Sequence, residues 1–243
     1  MDVHKSRIGI IYYTDNRISG PIIDHSRETI VASGLPITSC SLNTPIDFGD
    51  NHVLKNRNRS YPTMVDQIII ALENSKEDYV FFCEHDVLYH PSHFKFRPTR
   101  DDIYYYNVNT WRWRYPTDMA ITWKWIASLS HMVCNRELAL KHFKARMKVA
   151  KEQGLDINRS REPRWARRWG YEPGTKPKRR GGFSDEGMET WFSAGPNIDI
   201  RHKHTLSMPK VSIDEFIHPP KGWNETNIDN IKEWNLKEMF NLT

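Results

Sequence analysis

Glu84, His85 and Asp86 bring two carboxylates and an imidazole together at the end of an apolar run, YVFFC. That run has the composition of a strand buried on both faces, where an unpaired carboxylate would cost several kcal/mol. In an extended chain, residues two apart point to the same side, so we expect Glu84 and Asp86 to face one ion together while His85 faces away. Carboxylate oxygens suit Mg²⁺ or Mn²⁺, which keep open positions for substrate phosphates. The motif therefore predicts a divalent metal site rather than a strand end with solvated charges.

The elements that position this motif alternate between strands and helices. Residues 7–13 and 35–42 are short apolar runs that indicate buried strands, and residues 61–74 carry apolar side chains at helical spacing. Pro21 suits the first position of another helix, which ends near Gly34. With the YVFFC strand the order is β-α-β-α-β, which is typical of an open α/β sheet with mostly parallel strands. Ligands of such sheets bind outside the carboxyl ends of the strands, where the motif lies.

The second half of the chain is less regular and gives no sign of a second domain boundary. Asn135 predicts the N-cap of a long helix that ends at Gly154. The stretch SDEGMETWF predicts a short helix capped by Ser184, and residues 196–206 indicate a late strand. We therefore expect a single domain over residues 1–243.

The positive charge of the chain is concentrated in one segment. Between Arg159 and Arg180 there are nine Lys or Arg against Glu162 and Glu172, a local charge of +7 in a chain whose net charge is +5. The rest of the chain is therefore slightly acidic. A basic segment interleaved with Trp and Tyr suits a partner that carries phosphates, because cations neutralise phosphates and aromatic rings stack on bases.

The composition is that of a globular protein in a reducing compartment. Three cysteines lie far apart in apolar stretches, which argues against a disulfide framework or a zinc knuckle. The N-terminus has no long apolar segment, and no window approaches a membrane span. We expect a cytoplasmic protein.

The order of elements up to the acid-x-acid motif resembles that of the nucleotide-sugar-dependent glycosyltransferases of the GT-A fold. Their metal motif is usually Asp-x-Asp, whereas this chain has Glu-x-Asp. The segments EHDVLYHPSHF, YYYN, EPGT and PNIDIRH further resemble a group of phage and bacterial GT-A-like proteins, over most of the chain outside the basic segment. The resemblance implies a GT-A-like α/β fold in which residues 1–95 bind a nucleotide sugar and residues 96–243 bind the acceptor.

The resemblance also implies how the donor, a UDP-sugar, is held. Thr14, Asp15 and Asn16 end the first strand, where the family binds the nucleotide base and ribose, and Tyr61 would stack on the base. The same residues have ordinary structural interpretations. Asp and Asn are common in turns, and a tyrosine at a helix entry is as often part of the core.

In the family's pattern a divalent ion, Mn²⁺ or Mg²⁺, bridges the donor diphosphate. Asp86 would bind this ion, and Glu84 would hold the ribose or a metal-bound water. A late-strand histidine often supplies a further ligand, and His202 follows NIDIR at the matching position. His204 would point to the same side as His202 and is the reserve candidate.

Inverting members of the family use one carboxylate to deprotonate the acceptor hydroxyl, from a helix near the acceptor cleft. Asp185 and Glu189 are four residues apart and would share one face of the predicted helix. Acids at a helix start also interact with the helix dipole, which accounts well for Asp185 and less well for Glu189. Retaining enzymes need no such base.

Viral enzymes of this broad class glycosylate hydroxymethylated pyrimidines in DNA, which makes DNA bound by residues 159–180 the favoured acceptor. A hexose or pentose would then pass to a base such as 5-hydroxymethylcytosine. The alternatives are a cell-surface glycan as acceptor, a divalent-metal nuclease or phosphohydrolase that uses the same carboxylates, and a non-catalytic DNA-binding protein. His90 and His93 also have the spacing of a zinc ligand pair, but the sequence offers no second paired motif.

Overall fold

The computed structural model describes residues 6–124, 126–154, 172–174, 187–205 and 212–242. Its strands form two sheets. The helices are α1 (Pro21–Val31), α2 (Tyr61–Asn74), α3 (Arg136–Glu152) and the short α4 (Leu236–Met239). The strands are β1 (Ile8–Thr14), β2 (Ile37–Leu42), β3 (Asp50–Leu54), β4 (Tyr79–Glu84), β5 (Val87–Leu88), β6 (Tyr104–Asn107), β7 (Thr110–Arg114), β8 (Met119–Thr122), β9 (Met132–Asn135), β10 (Met188–Trp191), β11 (Asn197–Arg201) and β12 (Asn224–Asn227).

The large sheet has the strand order β10-β6-β9-β4-β1-β2-β3 and is mostly parallel. β1 pairs in parallel with both β4 and β2, and β2 pairs in parallel with β3, whereas β9 is antiparallel to its neighbours β4 and β6. β1, β2 and β4 are almost entirely buried, as their apolar composition predicts. Their carboxyl ends meet at one edge of the sheet. The expectation of an α/β fold with a mostly parallel central sheet is thus confirmed.

The helices of the large sheet begin and end where local chemistry dictates. The side chain of Ser60 accepts a hydrogen bond from the backbone N–H of Thr63, which caps α2, and Pro62 occupies its first turn. Asn135 caps α3 by accepting from the backbone N–H groups of two helix residues. Gly154 follows α3 with a φ of 71°, a conformation that glycine adopts without strain. In the described part of the chain, no helix has the length and apolar character that crossing a membrane requires.

The small sheet has the order β12-β8-β7-β11-β5 and shows a clear alternation of side chains. On one face, Trp113, Ile198 and Ile200 pack in an apolar cluster with residues of the C-terminal segment, including Phe240. The opposite face carries charged residues of β7 and β11. β5 follows β4 after a two-residue turn, so the chain passes from the large sheet into the small sheet at His85 and Asp86.

Two features of the fold differ from the sequence prediction. Residues 188–191 of the SDEGMETWF stretch form strand β10, parallel to β6, so the predicted helix is wrong over this part. Glu189 therefore lies on an edge strand, while Ser184 and Asp185 lie outside the described residues. Strand β3 was not expected, because all its residues are exposed or half-buried and it lacks an apolar pattern.

His93 is a buried histidine that supports the junction between the sheets. Its Nδ1 accepts from the side-chain amides of Asn107 (3.1 Å) and Asn197 (3.2 Å), which belong to different sheets. Burial lowers the pKa of His93 to about 3. Burial also lowers the pKa of the neighbouring His131, and the positive charges around it add to the effect. Both imidazoles are therefore neutral in the folded protein at neutral pH, and neither joins a cluster of possible metal ligands among the described residues.

These pKa shifts predict that the protein loses stability as the pH falls. In the unfolded chain a histidine has a pKa near 6.5, so below that pH the unfolded state binds a proton that the folded state does not bind. Through His93 alone, the free energy of unfolding should fall by about 1.4 kcal/mol between pH 7.5 and pH 5.5. His93→Gln should remove this part of the pH dependence in urea titrations at the two pH values. His218→Gln, at an exposed position, is the control, and an unchanged pH dependence in His93→Gln would contradict the assignment.

Candidate metal centre and ligand cleft

A cleft of about 170 Å³ opens at the carboxyl ends of β1 and β4, beside the start of α2 and the charged face of the small sheet. Glu84, His85 and Asp86 lie between its two walls. The near wall consists of residues at the end of β1 and the start of α2, namely Thr14, Asp15, Arg59, Ser60, Thr63 and Gln67. The far wall comes from the second half of the chain and consists of Arg112, Ser128, Ser130, Glu172 and Arg201.

His85, Asp86 and His202 form a cluster of possible metal ligands at this cleft. One ligand atom from each lies within 4.8 Å of the others, and Nε2 of His202 is 3.3 Å from Oδ2 of Asp86. The backbone explains how residues so distant in sequence meet. The N–H of Ile200 donates to the carbonyl oxygen of Asp86 (2.8 Å), and β11 pairs with β5, so β11 delivers His202 to the turn after β4. Asp86 and His202 are therefore brought together, as the sequence predicted.

His85 joins this cluster, although the sequence prediction had it facing away. The prediction assumed an extended chain through residue 86, but β4 ends at Glu84 and a turn follows. Nδ1 of His85 lies 2.8 Å from Oγ1 of Thr14, which orients the ring. Such an outer partner fixes the tautomer of a ligating histidine and leaves the other nitrogen for the ion.

Glu84 lines the cleft but lies outside the cluster of possible metal ligands, so the structure does not bring it together with Asp86 as a second ligand. The hydroxyl of Tyr13 donates to Oε1 of Glu84 (2.5 Å). Burial and the negative charge of Asp86 raise the pKa of Glu84 to about 8. Burial alone would also raise the pKa of Asp86, but the hydrogen bond with His202 and the charges of His85 and Arg201 bring it below its ordinary value. At neutral pH this pair therefore carries one negative charge, on Asp86.

The donor set fits a divalent transition metal. Two imidazole nitrogens and one carboxylate suit Mn²⁺, Fe²⁺ or Zn²⁺ better than Mg²⁺, which prefers oxygen ligands alone. The side chains of Asp86 and His202 are each less than a tenth exposed, so this pairing is shielded from bulk water. His85, Asp86 and His202 would hold the ion.

The predicted nucleotide-binding residues have different environments. Thr14 and Asp15 line the cleft, where Asp15 forms an ion pair with Nε of Arg59. Arg59 also donates to the carbonyl oxygen of His204 (2.7 Å), which ties the near wall to the segment after β11. Asn16 instead holds a turn, because its φ is 58° and its amide donates to the carbonyl oxygens of two residues in and after β2.

Tyr61 lies in the core and not in the cleft. Its side chain is 3% exposed, and Nη1 of Arg146 donates to its hydroxyl (2.9 Å). The first turn of α2 orients it toward α3, so the prediction that it stacks on a base conflicts with its position. The cleft side of α2 is formed instead by Thr63, Met64 and Gln67. The amide of Gln67 donates to the carbonyl oxygens of Thr14 (2.7 Å) and Cys40 (3.1 Å).

The far wall contains residues that sequence analysis did not select. Arg112 and Arg201 both contact one carboxylate, that of Asp199, which is buried beneath them. Glu172 belongs to the basic segment and lines the same wall, and the hydroxyl of Tyr106 donates to the carbonyl oxygen of Pro173 (2.6 Å). This part of the segment therefore packs beside the cleft. The alternation of Arg with Trp in TWRWR was the signal that could have revealed a charged face.

The remaining predicted residues lie elsewhere. Glu189 is exposed on the edge strand β10 and is not among the residues lining the cleft. Asp185 and most of the basic segment 159–180 lie outside the described residues, so the predictions made for them stay predictions.

Comparisons with known proteins give a distant structural similarity. The sequence matches no family model and no curated protein. Among solved structures, the chain is similar to the apo-form glycosyltransferase GlyE of Streptococcus pneumoniae TIGR4, with 8% identity and a TM-score of 0.35 over 64% of this chain and 41% of that chain. The chain thus spans about two fifths of that protein's length. A similarity of this degree carries no argument about activity.

The cluster predicts that Mn²⁺ affinity falls most when Asp86 is replaced and less when a residue that only contacts a ligand is replaced. Asp86→Asn should weaken Mn²⁺ binding in calorimetry by more than about 100-fold, because even a residue that only hydrogen-bonds to a metal ligand contributes about 10–100-fold to metal affinity. Thr14→Val, which removes only the contact to His85, should cause about a tenfold loss. Glu189→Gln should bind Mn²⁺ like the unaltered protein. Unchanged Mn²⁺ affinity in Asp86→Asn, with a native circular dichroism spectrum, would refute the metal site.

Proposed function

We propose that this protein is a metal-dependent glycosyltransferase that moves a sugar from a nucleotide-sugar donor, a UDP-sugar, to an acceptor hydroxyl. The observation that carries the proposal is the His85–Asp86–His202 cluster at the carboxyl ends of β1 and β4, inside a cleft with polar walls on both sides. In mostly parallel sheets this edge is where ligands bind. The resemblance of the sequence to GT-A glycosyltransferases supports the same conclusion.

The two walls suit the two halves of the reaction. The near wall offers the carboxylate of Asp15, held by Arg59, which is a group that accepts hydrogen bonds from the hydroxyls of a ribose. A divalent ion bound by the cluster would stabilise the negative charge of the leaving diphosphate. The acceptor would approach from the far wall, so the sugar carbon would lie between the two.

In the transfer step a carboxylate takes the proton of the acceptor hydroxyl as its oxygen bonds to the anomeric carbon. The bond from that carbon to the diphosphate breaks, and the diphosphate leaves with the electron pair. We propose Glu172 as this base, because it lines the far wall. Asp185 and Glu189, the candidates from sequence, remain proposals to be compared with it.

The acceptor we propose is a hydroxymethylated pyrimidine in DNA. The supporting observation is the charge of +7 over residues 159–180, whose described part packs beside the cleft. A neutral surface glycan would gain nothing from such a charge. Duplex DNA would bring phosphates to it, and the target base would leave the stack to reach the cleft.

Donor binding should require the metal. In a thermal-shift screen, one or more nucleotide sugars should raise the melting temperature in the presence of Mn²⁺ and lose this effect in EDTA, because an ion held by His85, Asp86 and His202 would attract the negatively charged diphosphate. Asp86→Asn should show no Mn²⁺-dependent shift with the same donor. Glu189→Gln serves as the matched control.

The screen also distinguishes glycosyl transfer from the alternative functions. A nuclease or phosphohydrolase would cleave nucleic acid with Mn²⁺ alone and would respond to no nucleotide sugar. A non-catalytic DNA-binding protein would bind DNA with no contribution from Asp86. Either pattern would end the proposal.

The acceptor and the base can be tested in one assay. The protein is incubated with hydroxymethylated or unmodified DNA and a donor mixture, and the DNA is digested to nucleosides for mass spectrometry. We expect a hexose or pentose mass increment on the hydroxymethylated base alone. Glu172→Gln should lower turnover by about 100-fold or more while donor binding stays nearly unchanged, as expected for loss of a general base.

Asp185→Asn and Glu189→Gln are measured beside Glu172→Gln. Normal turnover in all three variants would indicate a retaining reaction or another base. Transfer to a saccharide, with none to DNA, would replace the DNA acceptor by a glycan.

A further inference from the structure

The charged face of the small sheet places two arginines side by side at the cleft. Arg112 in β7 is the register partner of Asp199 in β11, and Arg201 lies two residues further along β11, on the same face. Both arginines line the cleft. Because the opposite face of these strands is apolar and packed, the pleat of the sheet fixes the side on which the guanidinium groups lie.

These two cations share a single buried carboxylate. Oδ2 of Asp199 forms an ion pair with Arg201 and lies 3.5 Å from Nε of Arg112. The Nε atoms of both arginines are buried and have no hydrogen-bond partner among the described residues. Each guanidinium has five N–H donors, so a single carboxylate cannot accept from all the donors of two guanidinium groups. A buried charged donor without a partner is costly.

The surroundings hold the two groups in place without neutralising them fully. Arg112 stacks over the ring of Trp123, 4.6 Å from its centroid, which fixes the guanidinium plane. Burial and the adjacent charge of Arg201 lower the pKa of Arg112 to about 10, although Asp199 and Glu172 act in the opposite direction. For Arg201, burial also lowers the pKa, but the carboxylates of Asp199 and Asp86 more than offset it.

We propose that Arg112 and Arg201 form an anion-binding subsite on the far wall, which takes the phosphate or carboxylate group of a ligand lying in the cleft. The fork of a guanidinium matches the paired oxygens of either group, and Ser128 and Ser130 line the same wall. The anion can belong to the nucleotide donor or to the acceptor. The subsite does not depend on glycosyl transfer, because it is defined by anion binding alone.

Inorganic phosphate is the probe, in low-salt buffer with EDTA so that no metal or donor contributes. In the unaltered protein, millimolar phosphate should shift the ¹⁵N resonances of two arginine Nε–H groups, and calorimetry should give a saturable affinity. Arg112→Gln and Arg201→Gln should each weaken phosphate binding by about tenfold or more, since a charge-assisted hydrogen bond is lost. Arg100→Gln, at an exposed position that does not line the cleft, is the control and should bind as before.

Two further variants guard against loss of the fold through the unpaired Asp199. Arg112→Lys and Arg201→Lys keep the positive charge beside Asp199 but lose the guanidinium fork, so they should fold and bind phosphate with intermediate affinity. The absence of a resonance shift in the unaltered protein, or a phosphate affinity in all four variants that equals that of the unaltered protein, would overturn the proposal.

The source of the anion is decided by competition. If the group belongs to the donor, UDP should displace phosphate and uridine should not. If it belongs to the acceptor, UDP and phosphate should bind together, and an oligonucleotide or a sugar phosphate should displace the phosphate. Either result supports the subsite. A failure of nucleotide sugars to bind would end the glycosyltransferase proposal and leave phosphate binding unaffected.

Discussion

The contact between Asp86 and His202 lies at the point where the chain leaves the large sheet and enters the small one, and the cleft depends on it. β4 ends at Glu84, two turn residues follow, and β5 then pairs with β11, which carries His202. Both walls of the cleft meet at this crossing, because the near wall belongs to the large sheet and the two arginines of the far wall lie on the small one. A carboxylate and an imidazole at such a seam are expensive to bury, and this arrangement is therefore more readily explained by function than by stability.

The distribution of charge around the seam follows from the same constraint. Two carboxylates so close together and so deeply buried cannot both ionise, so Glu84 takes a proton and the hydrogen bond of Tyr13 while Asp86 keeps the negative charge. Asp199 is likewise shared by two arginines. Asp199 is therefore held by two neighbours whose positions are fixed by the register of β7 and β11.

Sequence reasoning succeeded where burial imposes a regular pattern and failed where the chain departs from one. The α2 helix occupies 61–74 as predicted, because its cap and apolar spacing agree. The helix expected around Glu189 is a strand in the described part, because pairing with β6 outweighs local propensity. His85 was expected to face away from Asp86, on the assumption that the alternation of the strand continues. The expectation failed because alternation holds only within a strand, and a turn begins after Glu84. Asp86 and His202 were found from their motifs, whereas Arg112 and Arg201 become visible only when β7 and β11 are known to be neighbours.

The crossing of the chain between the sheets has a consequence for cooperativity. His93 binds one asparagine from each sheet, and the histidine–aspartate cluster spans the same boundary, so a local separation of the two layers would have to break both sets of contacts. A ligand bound across this boundary would stabilise the state in which the two sheets are packed together, since it would not bind the state in which they are separated. At a concentration 100 times its dissociation constant, such a ligand adds about 2.7 kcal/mol to the free energy of unfolding. Occupancy of the cleft would thus determine whether the two sheets unfold as one unit or as two.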